Sequence, residues 1–454
     1  MTMVQNAHSS SDSWPAPAAL GPVHARVVLP GSKSVTNRAL VLAALADGPA
    51  TIRGALMARD SVLMVTALTQ LGTRIEQISQ DPQTLNADLR VIPASIQQRK
   101  DASSLPTSAA INIDVGLAGT IMRFLPAAAA LHAGTISMDG DPRSRQRPLG
   151  PMLSALTQIG VDIDSANGCL PLTIHGRAHV PGGAATIDAS SSSQFVTGLL
   201  LSAARFDQGL QLTHSGSHLP SRPHIDMTLH MLAEHSVSVL ESGPTRAPTW
   251  QVLPGPIKAI DRTIEPDLSN AAAFLAAAMV TGGEITIADW PTQTTQAGDA
   301  LRDLLSRMGA TVTRLGTDLH LQGPRTIRAL DADLGEVGEL APVLAALCAL
   351  AEGPSRLHGI GHLRGHETDR IAALIDLITT LGGDARELSD GLQIQPRPLH
   401  GTVVDSYQDH RMATAAAVLG LQVPGIEIIN IATTAKTLPD FPRMWNTMLA
   451  ARPG

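Results

Sequence analysis

Six segments rich in alanine and leucine are apolar on nearly every face, and each stops near a glycine. They run about Asn37 to Asp47, Ala118 to His132, Ser192 to Phe206, Ser269 to Thr281, Gly338 to Glu352 and Asp409 to Leu419. A helix that is apolar all round cannot lie on a surface and must be wrapped by other structure. Gly48, Gly134, Gly209, Gly282, Gly353 and Gly420 follow or end them and are expected to enter the left-handed C′ position. After each comes a short strand-like piece such as TIRGA, TISMDG, LQLTHS, EITIADW, SRLHGI or IEIINI. Most units continue with a one-sided helix and a second breaker, at Gly72, Gly160, Gly309 and Gly382. The third copy, MLAEHSVSVL, has no glycine near Ser236, and the sixth ends at MWNTMLA. The pattern predicts an α/β protein of six similar units, with the apolar helices inside and sheets outside. A spacing of roughly seventy to ninety residues is long for a solenoid repeat.

With 454 residues the chain has material for two or three domains. Aromatic residues make up 2% of it, so alanine and leucine must fill the interior. The net charge of −7 argues against a general binder of nucleic acid or acidic membrane, whose footprint is basic and clustered. Cys169 and Cys348 cannot make a framework of disulfides, so a reducing, cytoplasmic location is expected. Residues 1–14 lack a basic stretch followed by an apolar core and read as a disordered leader. The longest apolar run, AAAFLAAAMV, has the length of a core helix and cannot span a bilayer.

Polar residues gather where the apolar helices begin. In PGSKSVTNR, Lys33, Ser34 and Arg38 precede the run ALVLAALADG; the spacing is not that of a P-loop. Corresponding clusters are Gly119, Thr120 and Arg123; Ser192, Ser193 and Gln194; Asp267, Ser269 and Asn270; Glu339; and Asp409, His410 and Arg411. Unpaired N–H groups at a helix start carry about half a positive charge, so such ends with added cations attract anions. Lysine occurs only at Lys33, Lys100, Lys258 and Lys436, which makes its presence in PGSKS and TTAKTLPD informative. Further charged strings hold Arg143, Arg145 and Arg147; Ser221, Arg222 and His224; and His366, Glu367 and Arg370. Arginine suits bidentate contact with carboxylate or phosphate. Glu339 and Glu367 stand as acids among cations and are candidates for proton transfer. His358, His362 and His366 are four residues apart, but Gly359, Gly361 and Gly365 interrupt any helix that would align them on a metal. No metal or cofactor is expected.

The motifs PGSKSVTNRAL, GLAGTIMRF, SSSQFVTGLLL, RGHETDR, YQDHRMA and TAKTLPDF, in this order, resemble those of the 5-enolpyruvylshikimate-3-phosphate synthase family, over about Leu20 to Leu449. The resemblance implies two similar globular domains, each of three inverse βαβαββ units: residues 15–31 plus 263–454, and residues 32–262. The chain would cross between them near Pro30 and near Arg262 to Glu265, with the active site in the cleft. It implies transfer of the enolpyruvyl group of phosphoenolpyruvate to the 5-hydroxyl of shikimate 3-phosphate, releasing phosphate, by a monomer with these two small-molecule partners. Matched residue by residue, Lys33, Ser34, Arg38, Ser192, Ser193, Gln194, Ser221, Glu339 and His366 would hold shikimate 3-phosphate, with Arg38 on the ring carboxylate. Lys33, Gly119, Arg123, Arg147, Gln194, Arg370, Arg411 and Lys436 would hold phosphoenolpyruvate. Glu339 would take the hydroxyl proton and Glu367 help protonate the methylene, with Lys33 and Lys436 sharing the proton traffic.

Leu117, His224, His362 and His366 depart from the commonest family pattern of Asn, Tyr, Asn and Lys. An imidazole of pKa near about 6.5 at His366 would make part of the site's charge depend on pH, so substrate affinity is expected to weaken as pH rises through it. Two alternatives stand beside this reading. Enolpyruvyl transfer to UDP-N-acetylglucosamine usually goes with a cysteine in the arginine loop, which DPRSRQRP lacks. A non-catalytic anion-binding protein would have no use for Glu339 and Glu367.

Overall fold

A computed structural model describes residues 13–94 and 111–451. Among the described residues it has five four-stranded sheets and one three-stranded sheet. One unit shows the plan. Strand Ile111–Asp114 leads into the buried helix Gly119–Ala129, and strand Ala133–Asp139 returns parallel to the first. The outer helix Gly150–Gln158 follows, then strands Ile163–Ser165 and Leu172–Arg177, the latter antiparallel to both its neighbours. The same order recurs from Gly183 to Val252 and from Asp331 to Gln395.

Two other units are assembled from distant pieces of chain. Strand His24–Val27 pairs parallel with Glu284–Ile287, and Arg262–Thr263 pairs parallel with Ile52 and Arg53. Each first strand thus serves a helix that lies far along the sequence. The sixth unit borrows its third strand from the N-terminal end: Ser13–Pro15 pairs antiparallel with Glu427–Ile429. This corrects the expected leader of residues 1–14, of which 1–12 lie outside the described residues. Ser13 and Trp14 are structured because Trp14 supplies an edge contact to Phe441, which packs in turn on Phe274 and Trp445.

The α/β plan of two similar halves, helices inside and sheets outside, follows from the wrapping requirement. Helices Lys33–Leu45, Gly119–Ala129 and Gln194–Ala203 share one core, which runs from Val35 to Ile264. Helices Leu268–Thr281, Ala341–Ala349 and His410–Gly420 share a second, which also takes Ala16 to Leu29. The two crossing segments bond to each other: Ser32 N–H donates to the Glu265 carbonyl at 2.8 Å and Asp267 N–H to that of Pro30 at 2.9 Å. Between them, a Cβ on Gly31 would lie 2.3 Å from the Gly54 carbonyl oxygen, so only glycine lets the strands pass.

The expected glycine stops hold for one inner helix, at Gly282 with φ 67°. Gly134 and Gly209 have positive φ but open the next strands, and Gly420 is the last helical residue. Neither Gly420 nor Gly48 nor Gly353 enters the left-handed region. Buried inner helices end where the core ends, so packing fixes their stops. The outer helices obey the rule: Gly72, Gly160, Gly309 and Gly382 all have positive φ, and in the third unit the exposed Ser236 takes the same place at φ 61°. A left-handed non-glycine residue costs about 1–2 kcal/mol, partly offset by the extra freedom a glycine has when unfolded. Ser236→Gly is therefore expected to stabilise the fold by about 0.5–1 kcal/mol, read as a higher urea midpoint at unchanged slope.

Candidate active site

The inner helices of both halves begin at one cleft open to solvent. Of the residues singled out from the sequence, Lys33, Ser34, Gly119, Arg123, Arg147, Ser192, Ser193, Gln194, Ser221, Glu339, His366, Glu367, Arg370 and Arg411 line it. Lys436 lies directly behind, with its ammonium on Glu367. Arg38 does not line the cleft. Its guanidinium is buried over the Phe124 ring and donates to the Ser34 and His224 carbonyls and to Thr228 Oγ1, each at 2.9 Å. In this conformation it braces the backbone that presents Ser34 and His224, rather than offering a fork to a carboxylate. Burial lowers its pKa to about 9.

One wall of the cleft is a cradle around Gly119. A Cβ there would lie 2.9 Å from Arg123 Nη1, 3.2 Å from Arg147 Nη2 and 3.2 Å from Gln194 Oε1. Arg123 donates to Gln194 at 3.3 Å, while the Nε atoms of Arg123 and Arg147 are buried without a protein acceptor. Burial, then the like charge of Arg147, push Arg123 well below its usual pKa. Such unsatisfied donors bind an anion strongly, because the alternative is an uncompensated buried charge.

The opposite wall is held by carboxylates. Asp409 accepts from Arg370 Nε at 2.7 Å and Nη2 at 3.2 Å, and caps its own helix through Arg411 N–H at 2.9 Å. Glu367 takes Lys436 Nζ at 2.5 Å and Arg370 Nη2 at 3.1 Å. Burial alone would raise Glu367, but Lys436, Arg370 and Arg147 hold it well below the usual carboxylate range. Glu339 accepts from Ser269 at 2.9 Å and meets His224 Nε2 at 3.2 Å, with Arg411 at 3.9 Å. It too is kept well below that range against the opposing effect of burial, by His224 first and then by Arg411. Both acids are ionised bases in this site.

Several contacts cross between the halves. Lys436 Nζ donates to the Leu117 carbonyl at 3.3 Å, Arg143 to that of Glu367 at 3.1 Å, and Ser221 N–H to that of Gly335 at 3.0 Å. Asp60, which no motif singled out, sits 3.4 Å from Lys33 Nζ and 3.9 Å from Lys436 Nζ with 1% exposure. Its only sequence signal is an acid at the start of the outer helix Arg59–Gln70. Burial lowers Lys33, with Asp60 opposing and Lys436 reinforcing the shift. His410, named in the cluster at the start of its helix but given no role, is 3% exposed and lines the cleft; neither ring nitrogen has a hydrogen-bond partner, and Asp409 Oδ1 lies 3.6 Å from Nδ1.

The histidines behave differently from the sequence expectation. His366 Nδ1 lies 3.3 Å from Arg370 Nη1, which can only donate, so the ring is a neutral acceptor there. Enclosure in the cleft, then Arg370, push its pKa well below the ordinary imidazole value. The site's charge therefore does not follow His366 through neutral pH, which corrects the expected loss of affinity. His358, at the end of strand Ser355–His358, pairs outward with Asp331 at 3.4 Å, so it shares no metal-binding face with His362 and His366. Among the described residues no group of three or more His, Cys, Asp or Glu side chains is placed to hold a metal.

His362 is lowered to about 4 by burial, and burial also holds His410 well down, with Arg411 and Lys33 reinforcing it. An unfolded imidazole titrates near about 6.5, so below that pH the unfolded chain binds protons that these folded rings refuse. Stability is thus full above about pH 6.5 and is lost as the pH falls through the window below it. The depressed Glu339 and Glu367 add a further loss below about pH 4.5. Urea unfolding at a series of pH values checks this, and a stability that stays level from about pH 8 to about pH 5 would contradict it.

Comparison with known proteins agrees with this geometry. The family model of EPSP synthase (3-phosphoshikimate 1-carboxyvinyltransferase) matches residues 17–445. A 3-phosphoshikimate 1-carboxyvinyltransferase of Kocuria rhizophila is 51% identical over 454 residues, covering 99% of this chain and 100% of that protein. Among solved structures, an EPSP synthase from Acinetobacter baumannii superposes with a TM-score of 0.75 at 23% identity, over 96% of this chain and 98% of that one. The enolpyruvyl transferase NikO from Streptomyces tendae does so with a TM-score of 0.69 at 16% identity, over 96% and 97%. These two likenesses concern the fold, whereas the family match and the 51% identity extend over the sequence: the chain belongs to the EPSP synthase family.

Proposed function

We propose that this chain transfers the enolpyruvyl group of phosphoenolpyruvate to the 5-hydroxyl of shikimate 3-phosphate by addition and elimination, releasing inorganic phosphate. The observation that carries the reading is the pair of ionised carboxylates, Glu339 and Glu367, enclosed by buried cations of both halves. Two polyanions repel each other, and fixed positive groups in a water-poor cleft offset that repulsion. The Gly119 cradle of Arg123, Arg147 and Gln194, with Arg370, Arg411, Lys33 and Lys436, takes phosphoenolpyruvate. Ser34, Ser192, Ser193, Gln194 and Ser221 take the phosphate of the acceptor, with His366 as a neutral hydrogen-bonding wall.

In the addition, Glu339 removes the hydroxyl proton as the oxygen bonds to C2, and C3 gains a proton. Glu367 is ionised, so the proton for C3 comes from an ammonium. Lys33, whose pKa burial lowers, lines the cleft and is the donor; Lys436, bound to Glu367, is its neighbour through Asp60. In the elimination C3 loses a proton, the C2–O bond to phosphate breaks and the double bond re-forms. Residues 15–31 plus 263–454 and residues 32–262 act as two lobes that close about the crossing segments, excluding water. The chain is taken to act as a monomer, in the cytoplasm. Among the described residues no helix is long and apolar enough to cross a membrane.

For the UDP-N-acetylglucosamine reaction the structure offers no cleft thiol: Cys348 is buried in an inner helix and Cys169 is remote from the lining. Phosphate release from phosphoenolpyruvate is expected with shikimate 3-phosphate and not with the UDP-sugar or without acceptor. Release with the sugar, or none in any mixture, would sink the proposal. Glu339→Gln is expected to lower kcat by about 10²–10⁴ with KM little changed. Gly119→Ala places a methyl group among the cradle donors, and should raise the KM for phosphoenolpyruvate by about ten-fold or more, as expected for roughly 1.4 kcal/mol of lost binding.

A further inference from the structure

The motif YQDHRMA gives His410 and Arg411 to the cleft and Asp409 to the clamp on Arg370, and leaves Tyr407 and Gln408 without a task. Both stand in the left-handed region at φ 53°, two consecutive non-glycine residues. Such a pair is unfavourable and persists only where its surroundings hold it. Within the turn, Asp405 Oδ1 accepts the Tyr407 N–H at 2.7 Å, and Asp409 N–H donates to the Ser406 carbonyl at 2.9 Å. Outside it, the Tyr407 hydroxyl donates to Asp376. Asp376 belongs to helix Arg370–Thr380, whose first residue is the guanidinium that Asp409 clamps. The turn is therefore fastened to that helix at two points, less than two helical turns apart.

We infer that Tyr407 is a positioning residue: tied to Asp376, it holds the Asp405–Asp409 turn in register with helix Arg370–Thr380 and so sets how Arg370 and Arg411 meet the phosphate-bearing substrate. Tyr407 is not among the residues that line the cleft. The inference rests on the function proposed above, since it concerns that cleft. Burial, then the Asp376 contact, push the Tyr407 phenol above its ordinary pKa, and as the only tyrosine of the chain its ionisation is visible in the ultraviolet.

The test compares the full-length wild type with Tyr407→Phe, Asp376→Ala and the double variant in the phosphate-release assay. Each single variant should raise the KM for phosphoenolpyruvate about five-fold, the size of one modest hydrogen bond, at a kcat within about two-fold of wild type. The double variant should be no worse than either single one, because they break the same tie. Asp376→Ala should also bring the tyrosinate absorbance to lower pH. An unchanged KM, a fall in kcat alone, or effects that multiply in the double variant would overturn the inference. Should Tyr407→Phe fail to fold, Asp376→Ala, which leaves the turn itself intact, decides by the same readouts. Wild-type turnover in the same assay tests the proposed function separately, so the two can fail independently.

Discussion

A guanidinium taken out of water demands a partner, and the way this protein meets that demand organises its cleft. Arg370 has two carboxylates, from Asp409 and Glu367, and is fixed in place. Arg123 and Arg147 have a glutamine amide and backbone carbonyls and retain unsatisfied N–H groups. One wall is thus electrostatically complete and the other is not. The incomplete wall is where an anion gains most, and the complete wall keeps the geometry while it does so.

The carboxylates are as necessary as the cations. Without Asp60, Glu367 and Asp409, the ammonium groups of Lys33 and Lys436 and the guanidinium of Arg370 would repel one another across a small volume of low dielectric. Glu339 is held otherwise, by a serine hydroxyl and an imidazole, with Arg411 at 3.9 Å. In the proposed reaction, which must take a proton and later return one, the lysines are the proton carriers and Glu339 a separate base.

Much of this was legible in the chain. Apolar helices with polar starts announced both the wrapping and the cleft, because burial and helix-end electrostatics leave local marks in sequence. Asp60 was not selected, His410 was named without a role, and Arg38 was given a different position, because each depends on which distant residue comes to lie beside it. His366 illustrates the same limit: its side chain was visible, but its neutrality depends on a neighbouring guanidinium and on enclosure. The glycine stops failed at every inner helix but the one ended by Gly282 for a related reason, since there the core and not the local backbone decides where a helix ends.

The strand His24–Val27 joins a sheet built from residues beyond both crossings, whereas Arg262–Thr263 closes a sheet of the stretch it ends. The half with the core from Val35 to Ile264 is one contiguous stretch of polypeptide, whereas the other is split around it. The first of these strands emerges early and must stay unpaired until Glu284–Ile287 has been made, so the order of synthesis and the order of assembly differ. A gene cut once after Ile264 would leave one product whole and strip the other of two edges, His24–Val27 and Ser13–Pro15, which stay behind on the first.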